Sequence, residues 1–317
     1  MMIALDRLSK RYGGIKAVDR LTLSVGRGEI VGLLGPNGAG KTTTMRMLTT
    51  FLAPTAGRAR LAGHDVLDEP IAVRRKVGYL PENVPLYTEM RAREYLKFRA
   101  ELKDIPRARR RAAIDGVIER CGLLEVEHRI LGQLSKGFRQ RVGLAEAMVH
   151  DPDILILDEP TAGLDPIQIR EVRSLIRELG DRHTILLSTH ILSEVEAVCG
   201  RVIIIARGRI AVDDRLDRMR AEGAIVLEAR GPLESIRGIL ETTPGVRRVV
   251  PTGHEGEYAS FEVHAHDGED PRELLARRLV QGGWPPRLLD LRRSTLEDRF
   301  IQAVTRAERI ADDSEAA

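Results

Sequence analysis

The first third of the chain alternates between short apolar runs and glycine-containing turns. Residues 3–5 and 21–25 are apolar segments typical of strands, and residues 29–34 form a third apolar run. This run leads directly into a glycine-rich segment, residues 35–43, which continues as a helix-permissive run to Leu48. The pattern predicts a strand, a tight turn and a helix in succession, and the rest of the chain is organised around this unit.

The middle of the chain changes to a helical periodicity and then returns to strands. Apolar residues at three- and four-residue spacing between residues 88 and 119 predict helices, interrupted at residues 104–106. Residues 154–157 and 184–187 are continuous apolar runs, the pattern of parallel strands that are buried on both faces. We interpret this region as a helical segment inserted into an α/β core.

Beyond residue 215 the pattern indicates a second, smaller unit at residues 224–304. Its elements follow a βαββαβ order: strand 224–229, a helix from 233, strands 246–250 and 258–263, helix 271–281 and strand 288–291. This order predicts an α+β domain of ferredoxin-like fold. A capping box at Ser294 and Glu297 predicts a last helix, and the polar residues 305–317 predict a disordered tail.

Composition narrows the class of protein. The 317 residues are 43% hydrophobic and 31% charged, as in soluble globular proteins of one large or two medium domains. No apolar run approaches the roughly 20 residues that span a bilayer, and no export signal is expected. The 50 basic and 47 acidic residues are interleaved, which argues against nucleic acid as a partner. Cys121 and Cys199 are predicted to be small buried thiols.

Residues 35–43 have the spacing Gly-x-x-x-x-Gly-Lys-Thr between a predicted strand and a predicted helix. Glycines let backbone N–H groups converge on phosphate oxygens, and the helix N-terminus favours the anion. Lys41 is expected to reach the β- and γ-phosphates and Thr42 to ligate magnesium. The predicted nucleotide-binding residues of this segment are Gly35, Pro36, Asn37, Gly38, Ala39, Gly40, Lys41, Thr42 and Thr43.

Polar residues end two of the predicted buried strands. Asp158 and Glu159 follow residues 154–157, and carboxylates in such a place need partners because their desolvation is costly. A magnesium ion beside Thr42 would give Asp158 its partner and leave Glu159 to act on a water. His190 ends the next strand, and the carboxyl ends of parallel strands share one edge of a sheet. We therefore expect these groups to meet there.

Two further features have both a structural and a functional interpretation. Ser135 and Gly137 stand where a helix is predicted to begin, and a serine there commonly caps the helix. Tyr12, in a predicted turn at residues 10–14, suits either stacking on an adenine or covering a strand edge. On the residues alone, the structural interpretation is preferred for both.

Taken in order, the motifs resemble those of the ATPase subunit of an ABC transporter over residues 1–215. The matching motifs are Walker A (35–43), the signature (134–140), Walker B (154–159), the D-loop (162–165) and the switch histidine (188–190). The resemblance implies an α/β P-loop NTPase cassette with a RecA-like core, an antiparallel β subdomain and a helical subdomain at about residues 84–150. It also makes Tyr12 the adenine-stacking aromatic.

The sequence departs from the usual family pattern in two motifs. Glu82 stands where the family usually has a glutamine, and it adds a charge near the expected magnesium site. The signature keeps Ser135 and Gly137, the γ-phosphate contacts, but has Lys136 and Phe138 in place of glycine and glutamine. Such departures are similar to those of type-2 ABC exporters, in the drug and gliding-motility-like subset.

The resemblance also implies a role for each site residue. Lys41 and magnesium would neutralise charge, Glu159 would be the general base, and His190 would contact the γ-phosphate and the water. Ser135 and Gly137 would contact the ATP that a second copy holds. The implied magnesium ligands are Thr42, Asp158 and Glu82, and Asp165 would link two sites across a dimer interface.

The implied assembly is a homodimer around two ATP molecules that drives two copies of a separately encoded transmembrane permease, at the cytoplasmic face of the membrane. A soluble ABC ATPase acting on nucleic acid or the ribosome is a rival, but it usually has two cassettes, a long coiled coil or zinc cysteines. An importer ATPase is disfavoured by the signature and by the predicted C-terminal fold. The presence of Lys41, Glu159 and His190 disfavours a non-catalytic cassette. The cargo, the permease and the transport direction stay open.

Overall fold

The computed structural model describes residues 1–221, 223–266, 269–293 and 295–315. It divides into two compact units, the first formed by Met1–Asp214 with the residues from Phe300 on, and the second by Arg215–Arg299. The boundary after Asp214 lies next to residue 215, where the sequence pattern changes.

The first ten strands form two sheets. They are β1 (Ile3–Tyr12), β2 (Ile15–Val25), β3 (Ile30–Leu34), β4 (Ala56–Leu61), β5 (His64–Asp65), β6 (Val77–Leu80), β7 (Ile154–Asp158), β8 (Thr184–Thr189), β9 (Arg201–Ala206) and β10 (Arg209–Arg215). One sheet is antiparallel in the order β2-β1-β4-β5. The other has the order β10-β9-β3-β8-β7-β6, and its neighbours from β9 to β6 pair in parallel. A parallel sheet of this kind is the expected α/β core.

Helices connect and cover these strands. They are α1 (Lys41–Leu48), α2 (Pro70–Lys76), α3 (Ala92–Leu102), α4 (Arg107–Arg120), α5 (Lys136–Met148), α6 (Pro166–Gly180) and α7 (Leu192–Val198), with a 3-10 turn at Leu131–Gln133. The next helix along the chain, α8 (Leu216–Ala221), belongs to the second unit. Helices α3, α4 and α5 pack on one another as the predicted helical subdomain. The interruption predicted at residues 104–106 separates α3 from α4.

Strand β7 shows why the central strands read as continuous apolar runs. All five of its residues are buried, and successive side chains alternate between two cores. Leu155 and Leu157 belong to the core that contains the helical subdomain, whereas Ile154 and Ile156 belong to the core beneath the antiparallel sheet. A strand that is covered on both faces favours apolar residues at every position, as residues 154–157 are, and only the buried Asp158 at its end is polar.

The predicted turn around Tyr12 is shorter than expected. Strand β1 continues through Tyr12, which pairs with Ile15 of β2, so only Gly13 and Gly14 form the turn. A two-residue connection is a common way to join antiparallel strands, and Gly13 supplies the positive φ of 56° that such a turn favours. Tyr12 is therefore the last residue of a strand.

The second unit has the predicted ferredoxin-like fold. Its elements are β11 (Gly223–Arg230), α9 (Leu233–Glu241), β12 (Val246–Glu255), β13 (Tyr258–Ala265), α10 (Arg272–Gln281) and β14 (Pro286–Arg293). The sheet is antiparallel in the order β12-β13-β11-β14, and alternate residues such as Leu227 and Phe261 pack in one core with both helices. The βαββαβ order is confirmed.

The prediction of a disordered tail from residue 305 is wrong for the described residues, because α11 (Leu296–Glu315) continues to residue 315. Residues 305–312 are mainly alanine, arginine and glutamate, which are good helix formers. Ser294 of the expected capping box lies outside the described residues. The reciprocal bonds instead join Thr295 and Asp298, with the Asp298 N–H donating to Thr295 Oγ1 at 3.1 Å.

Candidate active site

The glycine-rich loop between β3 and α1 adopts a backbone that requires glycine. Gly38 and Gly40 have φ values of 79° and 104°, in the left-handed region. A Cβ at Gly40 would lie 2.5 Å from the carbonyl oxygen of Ala17, so a side chain is excluded there by space as well as by conformation. Helix α1 begins at Lys41, directly after this turn, and its free N–H groups lie at the loop. Such a turn is suited to binding a phosphate.

Lys41 is held inside the loop. Its side chain is only 6% exposed, and Nζ donates to the carbonyl oxygens of Gly35 at 2.7 Å and Pro36 at 3.2 Å. Nζ also lies 4.0 Å from Glu159 Oε1. Burial lowers the pKa of Lys41, while the nearby carboxylates act in the opposite direction. The loop thus fixes a cation whose present partners are carbonyl groups and one carboxylate.

Asp158 ends β7 directly opposite Ser188 in the parallel register. The Ser188 hydroxyl donates to Asp158 Oδ1, and the Thr42 hydroxyl lies 3.4 Å from the same oxygen. No described residue donates to Asp158 Oδ2, although this oxygen is buried. Burial raises the pKa of Asp158, and the Ser188 and Thr42 hydrogen bonds oppose that effect. An orphaned buried carboxylate oxygen beside a hydroxyl is a donor set that suits a hard cation such as Mg²⁺.

Glu159 has a strained backbone and a paired side chain. Its φ of 49° is unusual for a residue with a side chain, and its N–H donates to the Ser188 carbonyl oxygen at 3.1 Å. His190 Nδ1 lies 3.0 Å from each carboxylate oxygen of Glu159. Burial raises the pKa of Glu159, and the His190 hydrogen bond partly offsets this. Strain and a raised carboxylate pKa are both features that functional sites commonly have.

Lys41, Thr42, Glu159 and His190 line one open cavity of about 410 Å³. Its lining residues are Ala17, Asn37, Gly38, Ala39, Gly40, Lys41, Thr42, Thr43, Glu82, Glu159, Ala162 and His190. The cavity therefore brings together most of the glycine-rich loop, Glu82, the carboxylate and the histidine that the sequence singled out. No cluster of three or more His, Cys, Asp or Glu side chains suited to a metal ion occurs in the described part of the chain. A cation here would need the Thr42 hydroxyl and further oxygen ligands.

Seven predicted site residues do not line this cavity: Tyr12, Gly35, Pro36, Ser135, Gly137, Asp158 and Asp165. Tyr12 is 49% exposed, with Lys10 Nζ 5.4 Å from its ring centre. Ser135 Oγ accepts from the N–H of Phe138 at 3.3 Å and caps α5. Asp165 Oδ1 accepts two backbone N–H groups at 2.9 Å and caps α6. Within one copy of the chain, the two caps have a structural role.

The signature segment and the loop after Glu159 touch within one copy. A Cβ at Gly163 would lie 2.2 Å from Lys136 Nζ, and a Cβ at Gly137 would lie 2.4 Å from Gln168 Oε1. Gly163 thus accommodates the Lys136 side chain of the signature, and Gly137 accommodates the Gln168 side chain of α6. Lys136, one of the departures from the usual signature, lies directly against Gly163.

Comparisons with known proteins identify the family. A family model described as ABC transporter matches residues 18–162. The daunorubicin/doxorubicin resistance ATP-binding protein of Streptomyces peucetius is 39% identical over 301 residues, which are 94% of this chain and 91% of that protein. The chain belongs to the ATP-binding proteins of the ABC transporter family.

Further comparisons extend this result. The bacitracin transport ATP-binding protein of Bacillus licheniformis is 34% identical over 96% of this chain and 97% of that protein. A solved dimeric bacterial ABC transporter cassette superposes with a TM-score of 0.63 at 26% identity, covering 68% of this chain and 99% of the cassette. The P-loop NTPase fold and the ATPase class are thus established for the chain. Among the residues described, no helix is long and apolar enough to cross a membrane.

Sequence reasoning missed some residues that support the site of this ABC ATPase. Ser188 contacts both Asp158 and Glu159, yet it attracted attention only as part of the segment that contains His190. Its position was available from the pattern, since a hydroxyl residue at the carboxyl end of a buried strand lies beside the neighbouring strand's end. Glu194 accepts hydrogen bonds from Thr161 and Thr189, which lie next to the site residues. Its sequence position gave no sign of this, because a glutamate in the first turn of a helix usually faces solvent.

Proposed function

We propose that this ABC ATPase is the energy-coupling subunit of an exporter, in which two copies enclose two ATP molecules and drive a separately encoded transmembrane permease. The observation that carries the proposal is the gathering of Lys41, Glu159 and His190 on one cavity at the carboxyl ends of parallel strands. The γ-phosphate of ATP fits a site with a buried cation, a general base and a phosphate-binding turn.

Glu159 is suited to act as the base for the attacking water. Its raised pKa brings its proton affinity closer to what a base needs near neutral pH, while it stays ionised above that pKa. The His190 ring donates from Nδ1 to the carboxylate and so fixes its orientation. Lys41 exchanges its carbonyl partners for phosphate oxygens and stabilises the charge that develops on them.

Magnesium is the cofactor that the residues accommodate. Asp158 Oδ2, which has no hydrogen-bond partner among the described residues, and the Thr42 hydroxyl are the groups that would hold it, with Glu82 at the same cavity. When bound, the ion neutralises charge on the β- and γ-phosphates. Ser188 keeps Asp158 oriented toward this task through its hydrogen bond to Oδ1.

The dimer supplies the residues that the single cavity lacks. Ser135, Gly137 and Asp165 are placed outside the cavity of their own chain, which supports contact with the ATP of a second copy. The solved cassette with a TM-score of 0.63 is dimeric, which supports a dimer of this chain. Tyr12, an exposed aromatic at the end of β1, would stack on the adenine.

Export is supported by relatives and by the sequence departures. Relatives that match nearly the whole chain are named for daunorubicin/doxorubicin resistance and for bacitracin transport. Glu82, Lys136 and Phe138 are the departures typical of type-2 exporters. The ferredoxin-like second unit also differs from the all-β module of many importer ATPases. We place the subunit at the cytoplasmic face of the membrane through its permease, and the interleaved charges disfavour nucleic acid as a partner.

The test uses the Glu159→Gln variant, which keeps ATP binding but removes the base. We expect the variant, with ATP and magnesium, to form a dimer in size-exclusion chromatography with light scattering, whereas wild type hydrolyses ATP and stays mainly monomeric. Glu178→Gln, an exposed glutamate on α6, is the matched control and should behave as wild type. A Glu159→Gln variant that hydrolyses ATP like wild type and stays monomeric would contradict the proposal.

A further inference from the structure

A single buried carboxylate lies between the two loops that carry the catalytic pair. Glu194, in the first turn of α7, is 2% exposed. One of its oxygens, Oε1, accepts from the Thr161 hydroxyl, and the other, Oε2, accepts from the Thr189 hydroxyl at 2.6 Å. Both threonines are themselves buried, at 4% and 0% exposure. The bidentate arrangement therefore ties two separate segments of the chain to one side chain.

The two segments are those that present the proposed base and its histidine. Thr161 follows Glu159 by two residues, and Thr189 immediately precedes His190. The Thr189 hydroxyl also accepts from the N–H of Ile191 at 3.1 Å, which fixes the backbone on the far side of His190. A displacement of either threonine would thus move one partner of the 3.0 Å contact between His190 and Glu159.

Helix stability alone does not explain this arrangement. An acidic residue in the first turn favours a helix through the helix dipole, and an exposed carboxylate does so as well as a buried one. Burying a carboxylate is costly unless it is paired, and Arg173 Nη2 lies as far as 3.9 Å from Oε1. Arg173 Nη2 itself donates to Ser193 Oγ at 3.3 Å. The short partners of Glu194 are the two threonines.

We propose that Glu194 is a positioning residue for ATP hydrolysis, holding the Glu159 loop and the His190 loop in register through Thr161 and Thr189. The proposal rests on the base and histidine roles proposed above. Glu194 does not line the cavity, and it acts by fixing the separation of Glu159 and His190, which do. Misplacement of a reacting group by about 1 Å can cost about 100-fold in rate, so a clamp of this kind affects turnover more than binding.

The test compares isosteric and conservative threonine variants. Thr161→Val and Thr189→Val remove the hydroxyl at nearly constant volume, whereas Thr161→Ser and Thr189→Ser keep it. We expect each valine variant to lower kcat about 10- to 100-fold while the Kd for ATP stays within about twofold, and each serine variant to recover most of the loss. Glu194→Ala should match the valine variants, and Glu196→Gln, an exposed glutamate on the same helix, is the control.

The outcomes separate this inference from the proposed function. Rates are expressed per ATP-binding-competent molecule, so a partly unfolded variant still gives a value for kcat. Valine variants with wild-type kcat, or losses that serine does not recover, would overturn the role of Glu194 even if Glu159→Gln is inactive. A Glu159→Gln variant with wild-type turnover would instead overturn the proposed base, whatever the threonine variants do.

Discussion

His190 Nδ1 lies 3.0 Å from both carboxylate oxygens of Glu159. This contact joins the loops that follow two adjacent parallel strands, and it involves one residue that is buried and one whose side chain is 52% exposed. The buried carboxylate therefore keeps a polar partner at the open side of the cavity. Because the two groups share one hydrogen-bonded contact, the titration of the carboxylate depends on the histidine.

Replacing His190 should therefore affect both rate and pH dependence. We expect His190→Ala to lower kcat about 100-fold or more, which is the range for a positioned group in proton transfer. Burial raises the pKa of Glu159 and the His190 hydrogen bond lowers it, so the variant's Glu159 pKa should lie higher still. Activity requires the ionised carboxylate, is present above that pKa and is lost as the pH falls through it. The acid limb of kcat should move to higher pH.

Steady-state ATPase rates across the acid limb measure both effects. His64→Ala is a suitable control, because His64 pairs with Glu69 at 3.0 Å and lies on β5, outside the cavity lining. An unchanged acid limb in His190→Ala would show that His190 does not influence the carboxylate.

Ser188→Ala should weaken the response to magnesium. The variant leaves Asp158 Oδ1 with only the 3.4 Å contact to Thr42, so the carboxylate loses its main orienting donor. Loss of such a supporting hydrogen bond typically costs about 10- to 100-fold in metal affinity. We expect the Mg²⁺ concentration for half-maximal ATPase activity to rise by this factor. Ser193→Ala, at a serine outside the cavity lining, is the control, and an equal shift in both variants would speak against the role of Ser188.

Gly163→Ala should impair dimer formation while leaving ATP binding to the single chain intact. Gly163 has a φ of 71°, and the new Cβ would displace the Lys136 ammonium, so the D-loop and the signature are disturbed together. The backbone strain alone costs about 1–2 kcal/mol. In the Glu159→Gln background, we expect several-fold weaker ATP-dependent dimerisation. Gly116→Ala, in α4 with open space around it, should have no effect.

The energetic coupling between Lys136 and Gly163 in dimer formation provides the sharper measurement. If Lys136 and Gly163 interact as their contact implies, the double variant Lys136→Gly/Gly163→Ala should lose less dimer affinity than the two single variants lose when their losses are added. Contacting residues typically show coupling of about 0.5 kcal/mol or more. Strictly additive losses would mean that the contact has no part in dimerisation.

Much of the fold follows from local pattern. The continuous apolar runs predicted β7 and β8 because a strand covered on both faces has no polar side, and alternation predicted β11 of the second unit. The misplaced elements have local causes. The two glycines after Tyr12 predict a turn at residues 10–14, but β1 continues through Tyr12. The polar composition of residues 305–317 predicts a tail, but the helix propensity of residues 305–312 is high and α11 continues to residue 315.

The site was predictable where chemistry requires particular residue types at a fixed spacing. Glycine at positions 38 and 40 is needed for the positive φ values, so the loop was recognisable. Contacts between side chains distant in sequence were not. The pairing of Ser188 with Asp158 depends on strand register, and the burial of Glu194 depends on how α7 packs, neither of which a periodicity contains. Lys136 was noted as a departure, but its contact with Gly163 needs the folded chain.

Stability of the first unit should fall in mild acid because of His150. Burial and the nearby Lys103 charge lower the pKa of this histidine from 6.5 to about 3. Its Nε2 lies 3.2 Å from the Val77 carbonyl oxygen, and the buried Nδ1 has no hydrogen-bond partner among the described residues. In the folded chain the ring stays neutral until about pH 3, whereas in the unfolded chain it takes up a proton below about pH 6.5. The unfolded state thus binds more protons between these values, and stability is lost as the pH falls from 6.5.

Urea unfolding at pH 7 and pH 5 measures this loss. Between pH 7 and pH 5, the free energy of unfolding of wild type should fall by about 1–2 kcal/mol more than that of His150→Gln, since the ring is only partly buried. The exposed His128→Gln variant should keep the wild-type dependence. Far-UV circular dichroism follows the whole chain, while fluorescence of Trp284, the single tryptophan, reports the second unit and should give the same pH dependence in all three proteins. If circular dichroism gives the same change in the free energy of unfolding with pH for wild type and His150→Gln, the lowered pKa of His150 is contradicted. A histidine kept neutral by its surroundings must make folding depend on pH between pH 7 and pH 5.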